Sequence, residues 1–144
     1  MPMRIVLDSA VWFHLDRCGI ALKVASMGRE LCTLDAVLAE MHERPTEAEL
    51  RATGVAVEPV TSEQMELSIA YRERSWEVSV TDAYCLAVAK TEGMTLATRD
   101  GPLEDLAAAE GVNLCRVEHV VLTMAEAGLL TETEVATFRK YAHD

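Results

Sequence analysis

The chain has 144 residues, of which 50% are hydrophobic and 26% charged, with a formal net charge of -11 at pH 7. That length sets the expectation of one domain, large enough to bury a core without disulfide or metal staples. The charge excludes a broad basic face for duplex nucleic acid, although 13 Lys and Arg leave room for a local cationic surface.

Cys18, Cys32, Cys85 and Cys115 are widely spaced and form no C-x-x-C pair. Buried free thiols are therefore expected, rather than a zinc site or a disulfide framework. Asp8, His14 and Asp16 interrupt the apolar residues near the N-terminus, so no signal-peptide pattern forms. No run reaches the apolar length of a transmembrane helix. The expectation is a soluble, cytoplasmic protein without a membrane partner.

In chain order, residues 3–7 predict a short buried strand, apolar apart from Arg4. Helices follow over 9–15 and 20–27, before Gly28. Residues 31–34 predict a brief strand, and Asp35 is placed as N-cap of a helix over 36–43. A helix over 46–53 ends at Gly54, and 55–60 alternates as a strand. Thr61 with Gln64 predicts a capping box and a helix to about residue 72. Ser79 with Asp82 gives the same signal for a helix over 80–92, closed by Gly93.

Residues 94–98 predict a strand, and Pro102 suits the first turn of a helix that Gly111 ends. The last strand lies within 112–117. Helices over 118–127 and 131–141 meet at Gly128, the second carrying the capping box Thr131 with Glu134. Strands alternating with helices imply a three-layer α/β/α domain around a parallel sheet of four to five strands. The whole chain, 1–144, reads as a single domain with its core over 3–117 and a helical appendage from 118 on.

Four acids occupy strand ends or helix starts: Asp8, Glu40, Asp82 and Asp100. A carboxylate at the end of a buried strand is costly to desolvate without a partner. In an open parallel sheet, ligands bind beyond the carboxyl ends of the strands, at the topological switch point. Two carboxylates about 4 Å apart repel by roughly 4 kcal/mol at an effective dielectric of about 20. Four that converge would bind a hard cation such as Mg2+ or Mn2+, or take up protons. Such an ion activates water and stabilises the leaving oxygen of a phosphodiester.

In sequence, Asp8-Ser9 after an apolar strand resembles the first acidic motif of PIN-domain nucleases. Val37-Leu38-Ala39-Glu40 is similar to their second motif, and Thr81-Asp82-Ala83 before an Ala/Leu-rich helix to their third. Thr98-Arg99-Asp100-Gly101-Pro102-Leu103 resembles the fourth, a T-x-D strand end before a helix. Order and spacing match over about residues 3 to 117. The size is similar to that of VapC-type toxins. The resemblance implies a Mg2+- or Mn2+-dependent endoribonuclease, with Asp8, Glu40, Asp82 and Asp100 as catalytic metal ligands. It also implies an RNA substrate, an antitoxin partner and a homodimer. Arg99 departs from the small residue common at its position, and the segment after residue 118 is less typical of compact VapC toxins.

Each residue has a plainer role beside the functional one. Asp8 could simply cap the following helix, Asp82 supply a first-turn acid, and Asp100 open a turn. Glu43 shares roughly the helix face of Glu40. Ser9, Thr98 and Asp105 are auxiliary candidates, set against a helix start, backbone satisfaction and a solvated charge respectively. The four His (14, 42, 119 and 143) show no metal-ligand spacing and read as non-catalytic. Trp12, Phe13, Trp76 and Tyr84 read as core or interface residues, and Met65, Leu67 and Ile69 as packing residues. Arg72 and Arg74 read as a solvated face, with phosphate or antitoxin acids as alternative contacts. An aspartate-dependent phosphatase needs an acid where Ala10 stands, and a receiver-like domain needs an acidic pair near the first strand. The remaining competitor is a non-catalytic PIN-like binding or regulatory module.

Overall fold

The structure, a computed structural model, describes residues 4–41 and 45–141, the side chain of residue 29 excepted. Five strands form one parallel sheet in the order β3-β2-β1-β4-β5. They are β1 (Ile5–Leu7), β2 (Leu31–Leu34), β3 (Ala56–Glu58), β4 (Thr95–Ala97) and β5 (Leu114–Cys115). The chain builds outward from β1 through β2 to β3, then returns to place β4 on the other flank of β1. The switch point therefore lies between β1 and β4, which pair from Ile5 with Thr95 to Leu7 with Ala97. All four residues of β2 are buried, which fits a strand covered on both faces.

The connections are helical. Between β1 and β2 run α1 (Ser9–Arg17), α2 (Ala21–Ala25) and a 3-10 turn at Gly28–Glu30. Between β2 and β3 lie α3 (Asp35–Glu40) and α4 (Glu47–Ala52). Next come α5 (Ser62–Arg74) and α6 (Val80–Glu92), then α7 (Gly101–Ala109) after β4. The last two helices are α8 (Val117–Glu126) and α9 (Glu132–Tyr141). Reciprocal capping boxes start α4 (Thr46 with Glu49) and α5 (Thr61 with Gln64), and Thr131 with Glu134 makes both bonds at α9. Helix α6 buries Ala83, Cys85, Leu86, Ala87, Val88 and Ala89. Its many small side chains let it lie close against the sheet and α5.

Several local expectations are corrected. Leu34, not Asp35, occupies the N-cap of α3. Asp35 is already helical and its Oδ1 accepts from the neighbouring Ala36 amide at 2.7 Å, because the strand runs on to Leu34. Helix α3 stops at Glu40, since Met41 turns to extended backbone (φ -90°, ψ 115°). The helix expected over 20–27 breaks after Ala25 into the 3-10 turn. At α6 the Asp82 amide donates to Ser79 Oγ at 3.1 Å, and hydrogen bonding with Ser79 also favours the ionised Asp82 carboxyl. Trp12 is in the core, but Phe13 and Trp76 are 64% and 80% exposed and so are not core residues. Met65 and Ile69 are exposed as well. Arg72 and Arg74 are exposed, as expected of a solvated face; Arg74 pairs with Glu110 at the end of α7 at 2.9 Å, and Arg72 Nε donates to the Val78 carbonyl. Residue 3 of the first expected strand, His42, Glu43 and His143 lie outside the described residues.

Gly28 marks a close approach. Its φ is +61°, and a Cβ there would sit 2.7 Å from the Thr53 carbonyl oxygen at the end of α4. Gly28→Ala should therefore destabilise by about 2 kcal/mol or more, through left-handed strain and collision with rigid backbone. Thermal unfolding checks this; an unchanged midpoint would mean that the two segments do not meet so closely.

Candidate active site

Asp8 ends β1 and caps α1, accepting from the Val11 amide with Oδ1 at 2.9 Å. Its other oxygen, Oδ2, accepts from Thr98 Oγ1 at 2.7 Å. The same Thr98 oxygen accepts from the Asp100 amide at 3.1 Å, and Asp100 Oδ2 caps α7 by accepting from Leu103 N at 3.0 Å. Strand ends on both sides of the switch point are thus joined by one buried hydroxyl. Asp8 and Thr98 are both buried, so neither group can turn to water instead.

Glu40, at the C-terminal end of α3, is exposed yet held. Ser9 Oγ donates to its Oε2 at 3.0 Å, and Thr81 Oγ1 donates to its Oε1. Three helices (α1, α6 and α7) begin at this place, and their positive ends favour negative charge. That offset is incomplete. Burial pushes the Asp8 carboxyl up from its ordinary value, with Asp100 and Glu40 adding to the effect, while the Thr98 and Val11 hydrogen bonds oppose it. The Asp82 carboxyl is raised to about 7, first by burial and then by the charges of Asp8, Asp100 and Glu40. The four acids therefore share one electrostatic neighbourhood.

The sequence-predicted residues fall into two groups. Asp8, Glu40, Asp82 and Asp100 lie together with Ser9 and Thr98. Asp105 does not join them: it is exposed on α7 and lines a cleft with Arg74, Ser75 and Glu77. Sequence reasoning missed Thr81. Its only local signal is adjacency to Asp82, because its partner Glu40 is 41 residues away. It also missed the bond between Arg99 and His14, 85 residues apart.

Among the described residues, no three His, Cys, Asp or Glu side chains form a ready-made metal-ligand group. The donor chemistry nonetheless fits a hard divalent cation, being carboxylate and hydroxyl oxygen throughout. Burial is the main cause of the upward push on Asp8 and Asp82, and the neighbouring acids add to it; a bound cation would offset both. No helix among the described residues is long and apolar enough to cross a membrane.

A family model described as the PIN domain matches residues 5–109. The crystal structure of PAE2754 from Pyrobaculum aerophilum is similar in fold, with a TM-score of 0.60 and 15% sequence identity, covering 88% of this chain and 99% of that one. No curated protein sequence matches the chain. The match over 5–109 contains all four acids and both flanks of the switch point, and the chain belongs to the PIN domain family, whose members are generally nucleases that use divalent metal ions.

Proposed function

We propose that the chain is a Mg2+- or Mn2+-dependent endoribonuclease that hydrolyses RNA phosphodiester bonds. In this reading it is a cytoplasmic homodimer and the toxin of a toxin–antitoxin pair. The observation that carries the nuclease reading is the meeting of Asp8, Glu40, Asp82 and Asp100 at the β1–β4 switch point. The toxin, antitoxin and dimer assignments rest on the likeness of the four motifs to those of VapC-type toxins.

Asp8, Glu40, Asp82 and Asp100 would hold the ion, which when bound supplies charge neutralisation and a water of lowered pKa. The chain's own groups prepare the place. Thr98 orients Asp8 and the Asp100 backbone together. Ser9 and Thr81 present Glu40, one hydroxyl to each oxygen. Asp82 is the carboxyl that gains or loses a proton near neutrality, so cation loading competes with that proton. The helix starts offer backbone N–H groups suited to a phosphate oxygen.

The test is cleavage of a mixed RNA pool by purified protein, with Mn2+ and with EDTA. Cleavage with Mn2+ alone supports the reading. No cleavage in either, with the fold intact and any antitoxin removed, supports the non-catalytic module instead. Thr81→Val keeps the side-chain shape and removes the donor to Glu40. It should weaken Mn2+ binding by about 10- to 100-fold, as loss of a group that orients a ligand does. Calorimetric Mn2+ titration checks this, and native affinity in Thr81→Val would remove Thr81 from the site.

A further inference from the structure

We infer that His14, seated against Phe138 of the C-terminal helix, is a positioning residue for the β4–α7 turn that carries Thr98 and Asp100. Arg99 lies between those two residues, and its Nη1 is 2.9 Å from His14 Nδ1. A guanidinium only donates, so Nδ1 is the acceptor and the imidazole is neutral, with its proton on Nε2. Neighbouring residues of the turn are therefore tied in two directions. Thr98 is bonded to Asp8 at the end of β1, and Arg99 to the buried His14 of α1.

The imidazole is itself held. Phe138 is buried and meets it edge-on, with ring centroids 5.2 Å apart and planes at 74°. Helix α9 is fastened to α1 and α2 at two further points. Lys23 pairs with Glu134 at 2.7 Å, and the Arg17 guanidinium lies 4.7 Å from the Tyr141 ring centroid. A path of direct contacts thus runs from α9 through His14 and Arg99 to the turn that presents Asp100. Helix α9 lies outside residues 5–109 that match the family model. This gives the C-terminal helix a task in the site without placing it near the chemistry.

The inference rests on the reading of Thr98 and Asp100 as site residues, so its test is made on the metal-free full chain and reads geometry rather than cleavage. Amide hydrogen exchange is followed at Asp100, whose N–H donates to Thr98, and at Leu103, whose N–H donates to Asp100. Val6 in β1 serves as reference. His14→Leu should speed exchange at Asp100 and Leu103 by about tenfold or more, with Val6 within about twofold. His14→Gln offers a carbonyl acceptor and should restore most of the protection. Arg99→Met, at a half-buried position that threatens the fold less, should reproduce the effect, and the double variant should add little to either single one. Phe138→Leu should shift the same two amides in the same direction.

Native exchange at Asp100 and Leu103 in Arg99→Met and His14→Leu would overturn the inference. So would acceleration shared equally by Val6, which reports general loosening. Failure of the native chain to bind Mn2+ would count against the nuclease reading and leave this exchange result standing on its own.

Discussion

Asp8→Asn should lower metal-dependent RNA cleavage by about a hundredfold or more while the fold survives. Asn has nearly the shape of Asp and keeps Oδ1 for the Val11 amide, so α1 retains its cap. It loses the charge of a fully buried carboxylate that is costly to ionise. It also removes the largest neighbouring charge acting on Asp82. Stability should therefore stay within about 1 kcal/mol of native or rise, since the lost Thr98 interaction is offset by relief of repulsion. Asp100→Asn should cause a comparable loss of activity. Cleavage assays beside thermal unfolding separate the two effects. Full Mn2+-dependent activity in both variants would mean that the site lies elsewhere.

The metal-free protein should become less stable as pH rises from about 5.5 to 8. The Asp82 carboxyl ionises near 3.8 in an unfolded chain but at about 7 when folded. Between those values the folded state binds the extra proton, so stability falls as pH rises and is lowest above pH 7. Asp8 is raised too and acts in the same sense. Asp82 is only partly buried, so solvent screening reduces the Asp82 contribution to about 1 or 2 kcal/mol, or roughly 3 to 8 °C in the unfolding midpoint. Mn2+ at pH 8 should restore the lost midpoint, because the cation replaces the proton. Midpoints measured from pH 5.5 to 8, with EDTA and with Mn2+, check the prediction. Asp82→Asn should flatten the metal-free profile; a native profile of the same shape as that variant would sink it.

Much of the architecture follows from local chemistry. Short apolar strands, glycine-terminated helices and the capping boxes at Thr61 and Thr131 need only neighbours within a few residues, and those elements stand where periodicity places them. Sequence reading misplaced boundaries where tertiary contact overrides local signal. Asp35 has the chemistry of an N-cap, but the buried strand β2 runs on to Leu34 and leaves Asp35 inside the helix. Phe13 and Trp76 are apolar enough for a core, yet their positions face outward.

Hydrophobic periodicity and capping chemistry make the alternation of strands and helices legible, and the four motifs single out Asp8, Glu40, Asp82 and Asp100. Asp8 and Asp100 are legible because they end strands and cap the helices that follow, whereas Glu40, at a helix C-terminus with partners 31 and 41 residues away, is marked only by the likeness of its motif. The strand order that puts β1 beside β4, and hence which hydroxyl serves which acid, emerges only from the packing of the sheet. The tertiary structure also sets Asp105 apart from the four acids. Thr81 reaches Glu40, and Arg99 reaches His14, across 41 and 85 residues. A hydroxyl or an imidazole carries no mark of a distant partner. Its role is fixed by the direction the packed backbone gives it, and that direction exists only once the sheet and its covering helices have assembled.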